Sequence, residues 1–148
     1  MHYECKNPPF LLSTNPKKLD LQVIHQFLSE ESYWAENITY ETVEESIEDT
    51  LCFGLYIENE QIGFGRMVTD LATFAYLSDV FILKSHRGKG AGKWMMEKIL
   101  EHPGLKKLRK LLLITEDAHE FYRQFGFTSL KNQERYMEKI LISKYPKK

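Results

Sequence analysis

The chain has 148 residues, enough for one domain with an apolar core and too few for several. Hydrophobic residues make up 43% and charged residues 28%, and the formal net charge is −1, so bulk electrostatics draws the chain neither to nucleic acid nor to an anionic membrane. No apolar run reaches the length of a membrane span, no leader pattern opens the chain, and Cys5 and Cys52 form no CxxC or metal-like cluster. These features predict a cytoplasmic protein with free thiols in a reducing compartment.

Residues 1–9 carry Pro8-Pro9 and read as a loose entry. Phe10–Ser13 reads as a short first strand, and Asn15-Pro16 as a turn. From Leu19 the spacing becomes helical, with Leu21, Ile24 and Leu28 on one face. Ser29 to Asn37 breaks the pattern and holds Tyr33 and Trp34. Tyr40, Val43 and Ile47 predict a second helix, with Thr42 three residues before Glu45 as a weak capping box. The period then changes to two. Leu51, Phe53, Leu55 and Ile57 predict a strand, Glu58-Asn59-Glu60 a hairpin turn, and Gln61 to Val68 its partner, with Ile62 and Phe64 on one face. Phe74 to Leu83 is a longer third strand, antiparallel in the simplest reading.

A glycine-rich turn follows it, Arg87-Gly88-Lys89-Gly90-Ala91-Gly92-Lys93, and a helix with Ala91, Met95 and Ile99 on one face begins at once, ending at His102-Pro103-Gly104. Strand, glycine turn and helix start build an anion site. Free N–H groups converge at the positive end of the helix dipole, and glycines remove the side chains that would hold a phosphate away. The nucleotide-triphosphate pattern fails here, because Arg87 stands at the first glycine and Trp94 at the hydroxyl. The dinucleotide fingerprint fails as well, with Lys93 at its third glycine. Lys106, Lys107, Arg109 and Lys110 read as a solvated face, with a ligand role as the alternative. Leu111–Ile114 predicts a buried strand parallel to the one before the loop. Ala118, Phe121, Tyr122 and Phe125 predict a short helix, with Asp117 or Glu120 capping it and Gly126 at its left-handed end. Phe127 to Leu130 and Glu134 to Ile142 read as closing strands, with no repeat and no second domain within residues 1–148.

Arg87-x-x-Gly90-x-Gly92 and Ala118-x-x-Phe121-Tyr122-x-x-Phe125-Gly126-Phe127, in this order and behind the apolar strand Val80–Leu83, resemble the signatures of the GCN5-related N-acetyltransferases (GNAT). The resemblance covers nearly the whole chain. It implies an α+β fold in three layers, a mixed and mostly antiparallel sheet of about six to seven strands flanked by about four helices. It implies acetyl-CoA as donor, with backbone groups of Phe81, Ile82 and Leu83 pairing with the pantetheine amides. It places the pyrophosphate on the N–H groups from Gly88 to Lys93 (Gly88, Lys89, Gly90, Ala91, Gly92, Lys93), beside the cation of Arg87. Two strands would splay apart to admit the pantetheine arm. Where many members carry asparagine, this chain has Thr115, whose hydroxyl bonds the cofactor or caps the helix.

Acetyl transfer to an amine needs a deprotonated amine, a polarised thioester carbonyl and a proton for the leaving thiolate. The resemblance makes Tyr122 the general acid; by spacing alone it is a core tyrosine. Asp79 interrupts the apolar strand just before the cofactor segment and is the general-base candidate, with a structural aspartate at a bulge or in an ion pair as the other reading. Glu116, Asp117 and His119 are weaker alternatives. Tyr33 and Trp34 shape the acceptor pocket or simply pack over the sheet. No metal is expected, since the five histidines show no ligand spacing. The function expected is acetyl-CoA-dependent N-acetyl transfer to a primary amine, by direct attack in a ternary complex. The alternative is an acyl-CoA-binding sensor without turnover. A DNA-binding domain is disfavoured by charge and by the lack of a recognition motif. A homodimer is a family habit.

Overall fold

A computed structural model describes residues 1–147. Its centre is a six-stranded sheet in the simple order β1 to β6. The strands are β1 (Glu4–Asn7), β2 (Phe10–Ser13), β3 (Leu51–Ile57), β4 (Glu60–Thr69), β5 (Phe74–Ile82) and β6 (Lys110–Leu113). All neighbours are antiparallel except β5 and β6, which run parallel with the helix-bearing segment 83–109 crossing between them. The α+β class and the mostly antiparallel sheet agree with expectation. The first strand does not: residues 4–7, read as a loose entry, pair with β2 from Glu4↔Ser13 to Asn7↔Phe10. A four-residue edge strand carries too few alternating positions to announce itself.

Helices cover both faces. On one lie α1 (Leu21–Gln26), a wide turn at Phe27–Glu31, and α2 (Tyr40–Glu48). Asp20 caps α1 by accepting the N–H groups of Gln22 and Val23. Thr39, not Thr42, caps α2, accepting the Thr42 N–H at 3.1 Å. Ile24, Phe27, Leu28 and Val43 bury there against Cys52, Phe64 and Phe81 of the sheet. On the other face α3 (Ala91–Leu100) seats Ala91, Met95, Met96 and Ile99 on Phe53, Leu55, Met67 and Leu77, with α4 (His119–Arg123) beside it.

Two irregularities shape the sheet. The β3–β4 hairpin turns through Glu58 (φ 49°) and Asn59 (φ 72°), two left-handed residues as a tight hairpin requires. The register then slips, because Leu55 faces Gly63 while Tyr56 faces Gln61. That extra residue puts Ile62 in the α3-side core and Phe64 in the α1–α2 core, where simple alternation had placed them together. The second slip lies between β4 and β5, at the site described below.

The two closing strands are a correction. Neither Phe127–Leu130 nor Glu134–Ile142 joins the sheet, and only a single turn at Gln133–Arg135 is regular. Alternating residues record a strand's tendency and not its partner. Here a groove of about 820 Å³ separates 126–132 from β6.

Candidate active site

Strands β5 and β6 form a fork. They pair from Phe74↔Lys110 to Leu77↔Leu113 and then part. In the opening lies a cavity of about 320 Å³, reached by Leu77–Val80 from β5, by Leu113–Ala118 beyond β6, by Tyr122 from α4, and by Tyr33 and Trp34. The expected splaying of two strands is therefore present at this position.

Strand β5 is bulged at the fork. Phe64 faces Phe81 and Arg66 faces Ser78, so Asp79 and Val80 together stand opposite Gly65. Asp79 has φ 56°, a left-handed conformation that aspartate tolerates better than most residues. Such bulges re-aim side chains and interrupt the ladder, and they gather beside active sites. The Asp79 carboxylate is held on two sides. Oδ1 accepts from the Trp34 indole N–H at 2.8 Å, and Oδ2 accepts from Arg66 Nε at 3.0 Å. Arg66 was not singled out in the sequence. Its signal was available: an arginine inside one apolar strand and an aspartate inside the next compensate each other's burial.

The loop bearing Tyr33 and Trp34 closes over the fork. Trp34 fastens it to the bulge, and the Tyr33 hydroxyl accepts the Glu116 N–H at 2.7 Å from the far side. The rings meet edge to face at 5.1 Å and both stay partly exposed. Tyr33, Trp34, Tyr76 and Asp79 thus line one cavity with Glu116 and Asp117.

Tyr122 stands at the inner end. Burial, with Tyr33 and Asp117 as lesser contributors, pushes its phenol up to about 12, so it keeps its proton at neutral pH. Its helix is not capped by Asp117 or Glu120. No side chain caps it; Thr115 Oγ1 accepts the Ala118 N–H at 3.1 Å in the turn that leads into the helix. Gly126 has φ 93°, the left-handed end expected of it, and the Phe127 N–H returns to the Tyr122 carbonyl.

The glycine loop follows the end of β5, where Gly92 lies close to Ile82 and Phe121. Lys84–His86 makes one turn, Gly88 (φ 80°) and Gly90 (φ 79°) take left-handed conformations, and α3 starts from Gly90. A Cβ at either glycine would meet nothing within 4 Å, so their φ values and the approach to the loop explain them, not crowding. Asp20 and Thr39 cap α1 and α2, whereas no side chain caps α3, and the N–H groups at 91–93 have no intrahelical acceptor. Arg87, Lys89 and Lys93 surround them, all exposed. Arg87 Nε also donates to the Ile82 carbonyl at 2.9 Å, and its guanidinium lies 5.9 Å from the Phe27 ring centre.

The backbone between loop and bulge is divided in its facing. The Leu83 N–H donates to Ile62 at 2.8 Å, and the Phe81 carbonyl lies over Gly63, so both point to β4. Alternation turns Ile82 toward the open side. Of the three residues expected to meet the pantetheine, Ile82 is the one whose backbone faces the fork.

An open fork, an uncapped helix end behind two left-handed glycines, and a protonated phenol form a cradle consistent with a phosphate-bearing thioester. The residues therefore fit acetyl-CoA. Among the described residues no group of three or more His, Cys, Asp or Glu gathers as metal ligands. No helix among them is long and apolar enough to cross a membrane.

Comparison with known proteins agrees with this geometry. The family model described as an acetyltransferase (GNAT) domain matches residues 48–129. A Gibberella zeae protein named as an acetyltransferase is 35% identical, over 79% of this chain and 78% of that protein. A Xanthomonas campestris protein of the GNAT family, also named as an acetyltransferase, is 40% identical and superposes with a TM-score of 0.88, covering 92% of this chain and 96% of that one. Rv2747 of Mycobacterium tuberculosis, solved in complex with CoA, shares the fold at a TM-score of 0.63 and 17% identity, over 77% of this chain and 69% of that one. The chain belongs to the GNAT family of acetyltransferases.

Proposed function

We propose that the chain transfers an acetyl group from acetyl-CoA to a primary amine, by direct attack with both substrates bound. The observation that carries this is the fork itself. It brings the half-buried, protonated Tyr122 to the bulge of β5, and β5 runs on from that bulge to the glycine loop and the uncapped start of α3. Acetyl-CoA supplies an activated acyl group and a thiolate leaving group. The N–H groups from Gly88 to Lys93, with Arg87, hold its phosphates. Ile82 offers backbone partners along the arm, and the interrupted ladder at Asp79–Val80 frees backbone polarity toward the carbonyl. Tyr122 holds at its phenol oxygen the proton that a departing thiolate takes.

Tyr33, Trp34 and Tyr76, with Glu116 and Asp117 beside them, suit an acceptor that arrives as a cation. Asp79 meets it at the bulge. Because both Asp79 oxygens already accept hydrogen bonds, its base role runs through a water drawing on the remaining lone pairs, with Arg66 fixing the carboxylate.

Calorimetric titration with acetyl-CoA, with free coenzyme A as control, tests donor binding. A free-thiol readout on a panel of amines then tests transfer. We expect micromolar or tighter binding and amine-dependent thiol release. Binding without release on any amine would favour the sensor reading, and absence of binding would overturn both.

A further inference from the structure

Two roles in the donor site meet on one side chain. The backbone of Ile82 faces the fork, so its carbonyl is the acceptor that an amide of the pantetheine arm can reach. Arg87 is the loop cation expected beside the phosphates. The structure brings the two together. Arg87 Nε donates to the Ile82 carbonyl at 2.9 Å, and its guanidinium lies 5.9 Å from the Phe27 ring centre. Phe27 stacks on Phe81 with ring centres 4.1 Å apart and belongs to the α1–α2 side of the sheet. The uncapped N–H groups suited to phosphate head α3, which packs on the other side. The arginine is therefore held at two points, a carbonyl and an aromatic face, and the aromatic face draws it toward the layer opposite α3.

These contacts differ in strength. Arg87 is exposed, so its hydrogen bond and its place over the ring each gain little against hydration. A diphosphate offers the same guanidinium a charge-assisted, two-pronged contact stronger than either. An amide of the pantetheine arm is neutral and gains only what an ordinary hydrogen bond gives. An arm by itself must therefore displace a guanidinium from the Ile82 oxygen or crowd against it. An arm joined to a diphosphate gives the displaced cation a better partner.

We infer that Arg87 makes the two halves of the donor site depend on each other: it covers the Ile82 carbonyl until a diphosphate draws it to the loop. Arg87 is then a specificity-determining residue. The fork takes a thioester whose pantetheine arm carries a nucleotide diphosphate, and rejects one on a bare arm. This rests on the acetyl-CoA reading of the fork and adds to it the means by which the arm and the phosphates are read together.

Two probes separate the halves: coenzyme A, and pantetheine, which is the same thiol arm without the nucleotide diphosphate. Arg87→Ala is the variant, because the side chain is exposed and lies outside every helix and strand, so the fold is kept. Coenzyme A is titrated by calorimetry, and pantetheine by the amide shifts of the labelled chain, which report weak binding. The expected changes have opposite signs. Coenzyme A affinity should fall about tenfold in Arg87→Ala, whereas pantetheine affinity should rise about threefold. Pantetheine carries no charge, so the loss of a cation does not by itself tighten it. Pantetheine affinity unchanged, or undetected in both chains, would leave Arg87 a phosphate contact alone. A fall for both ligands would make it a prop of the fork. Unchanged coenzyme A affinity would remove it from the phosphates. Each of these results overturns the inference and leaves acetyl-CoA as donor. A wild-type chain that binds no coenzyme A overturns the acetyl-CoA reading itself, and the inference with it.

Discussion

Tyr122 and Tyr56 show how one residue type serves two ends. Both phenols are raised by burial, but Tyr122 faces the fork, whereas the Tyr56 hydroxyl is buried with no hydrogen-bond partner among the described residues. Tyr122→Phe removes the proton and little volume. We expect turnover to fall 10²–10⁴-fold with acetyl-CoA affinity nearly kept. A fall within about twofold would return Tyr122 to the core role that its spacing alone suggests. Tyr56→Phe removes a hydroxyl that carries only a desolvation cost. It should raise unfolding stability by about 1 kcal/mol in urea titration, and a loss of that size would reveal an unseen partner. The reverse defect is Gly54→Ala, since a Cβ there would lie 2.2 Å from the Tyr56 hydroxyl oxygen. Trp34→Phe tests the bulge. It keeps the ring and removes the indole N–H that Asp79 Oδ1 accepts, loosening the loop on the acceptor side. The KM for the amine should rise several-fold while that for acetyl-CoA stays within about twofold. Equal changes in both would show that the loop only packs.

The glycine loop and α3 were legible because their chemistry is local. Strand, left-handed glycines and an unprotected helix start occupy consecutive residues, so the sequence states them directly. The same holds for Gly126 after α4. The capping choices were less legible. Thr39 does the work that spacing assigned to Thr42, and no side chain caps α4 where Asp117 or Glu120 was expected, because a cap depends on where the chain enters the helix. The bulge at Asp79–Val80 was legible only as one of the readings of an aspartate inside an apolar strand. It is a relation between two strands, and the sequence shows only that a charge interrupts each. Gly90→Asp tests the loop as an element. Aspartate tolerates the left-handed φ of 79° and finds open space, so the fold should survive. Its carboxylate would meet the donor's phosphates, and acetyl-CoA affinity should fall at least tenfold by calorimetry. Unchanged affinity would remove the phosphates from this loop.

At the scale of the whole molecule, the middle of the sheet was readable and its margins were not. Strands β3 to β5 each lie beside the next in sequence, so pattern and turn define them together. β1 is too short to show a period, and the segments after α4 have a strand's pattern but pair with no strand of the sheet. The buried titratable groups act at this scale too, from both ends of the pH range. His102 sits among Tyr3, Phe53 and the Gly104 N–H that its Nδ1 accepts, and burial lowers its pKa from the ordinary imidazole value. The unfolded chain therefore binds that proton first. Stability is fully present above about pH 6.5 and falls as pH drops toward the lower folded value. Tyr3, Tyr56 and Tyr122 are raised, chiefly by burial, so they ionise first when unfolded. Their contribution is fully present below about pH 10 and is lost as pH climbs toward their folded values. Urea unfolding followed from pH 5 to 11 should give a plateau with a fall at each end. His102→Gln should flatten the acid limb alone, and Tyr56→Phe should soften the alkaline limb alone. If the acid limb persisted unchanged in His102→Gln, the proton uptake would belong to another group, and the His102 ring would be no more than packing against Tyr3 and Phe53.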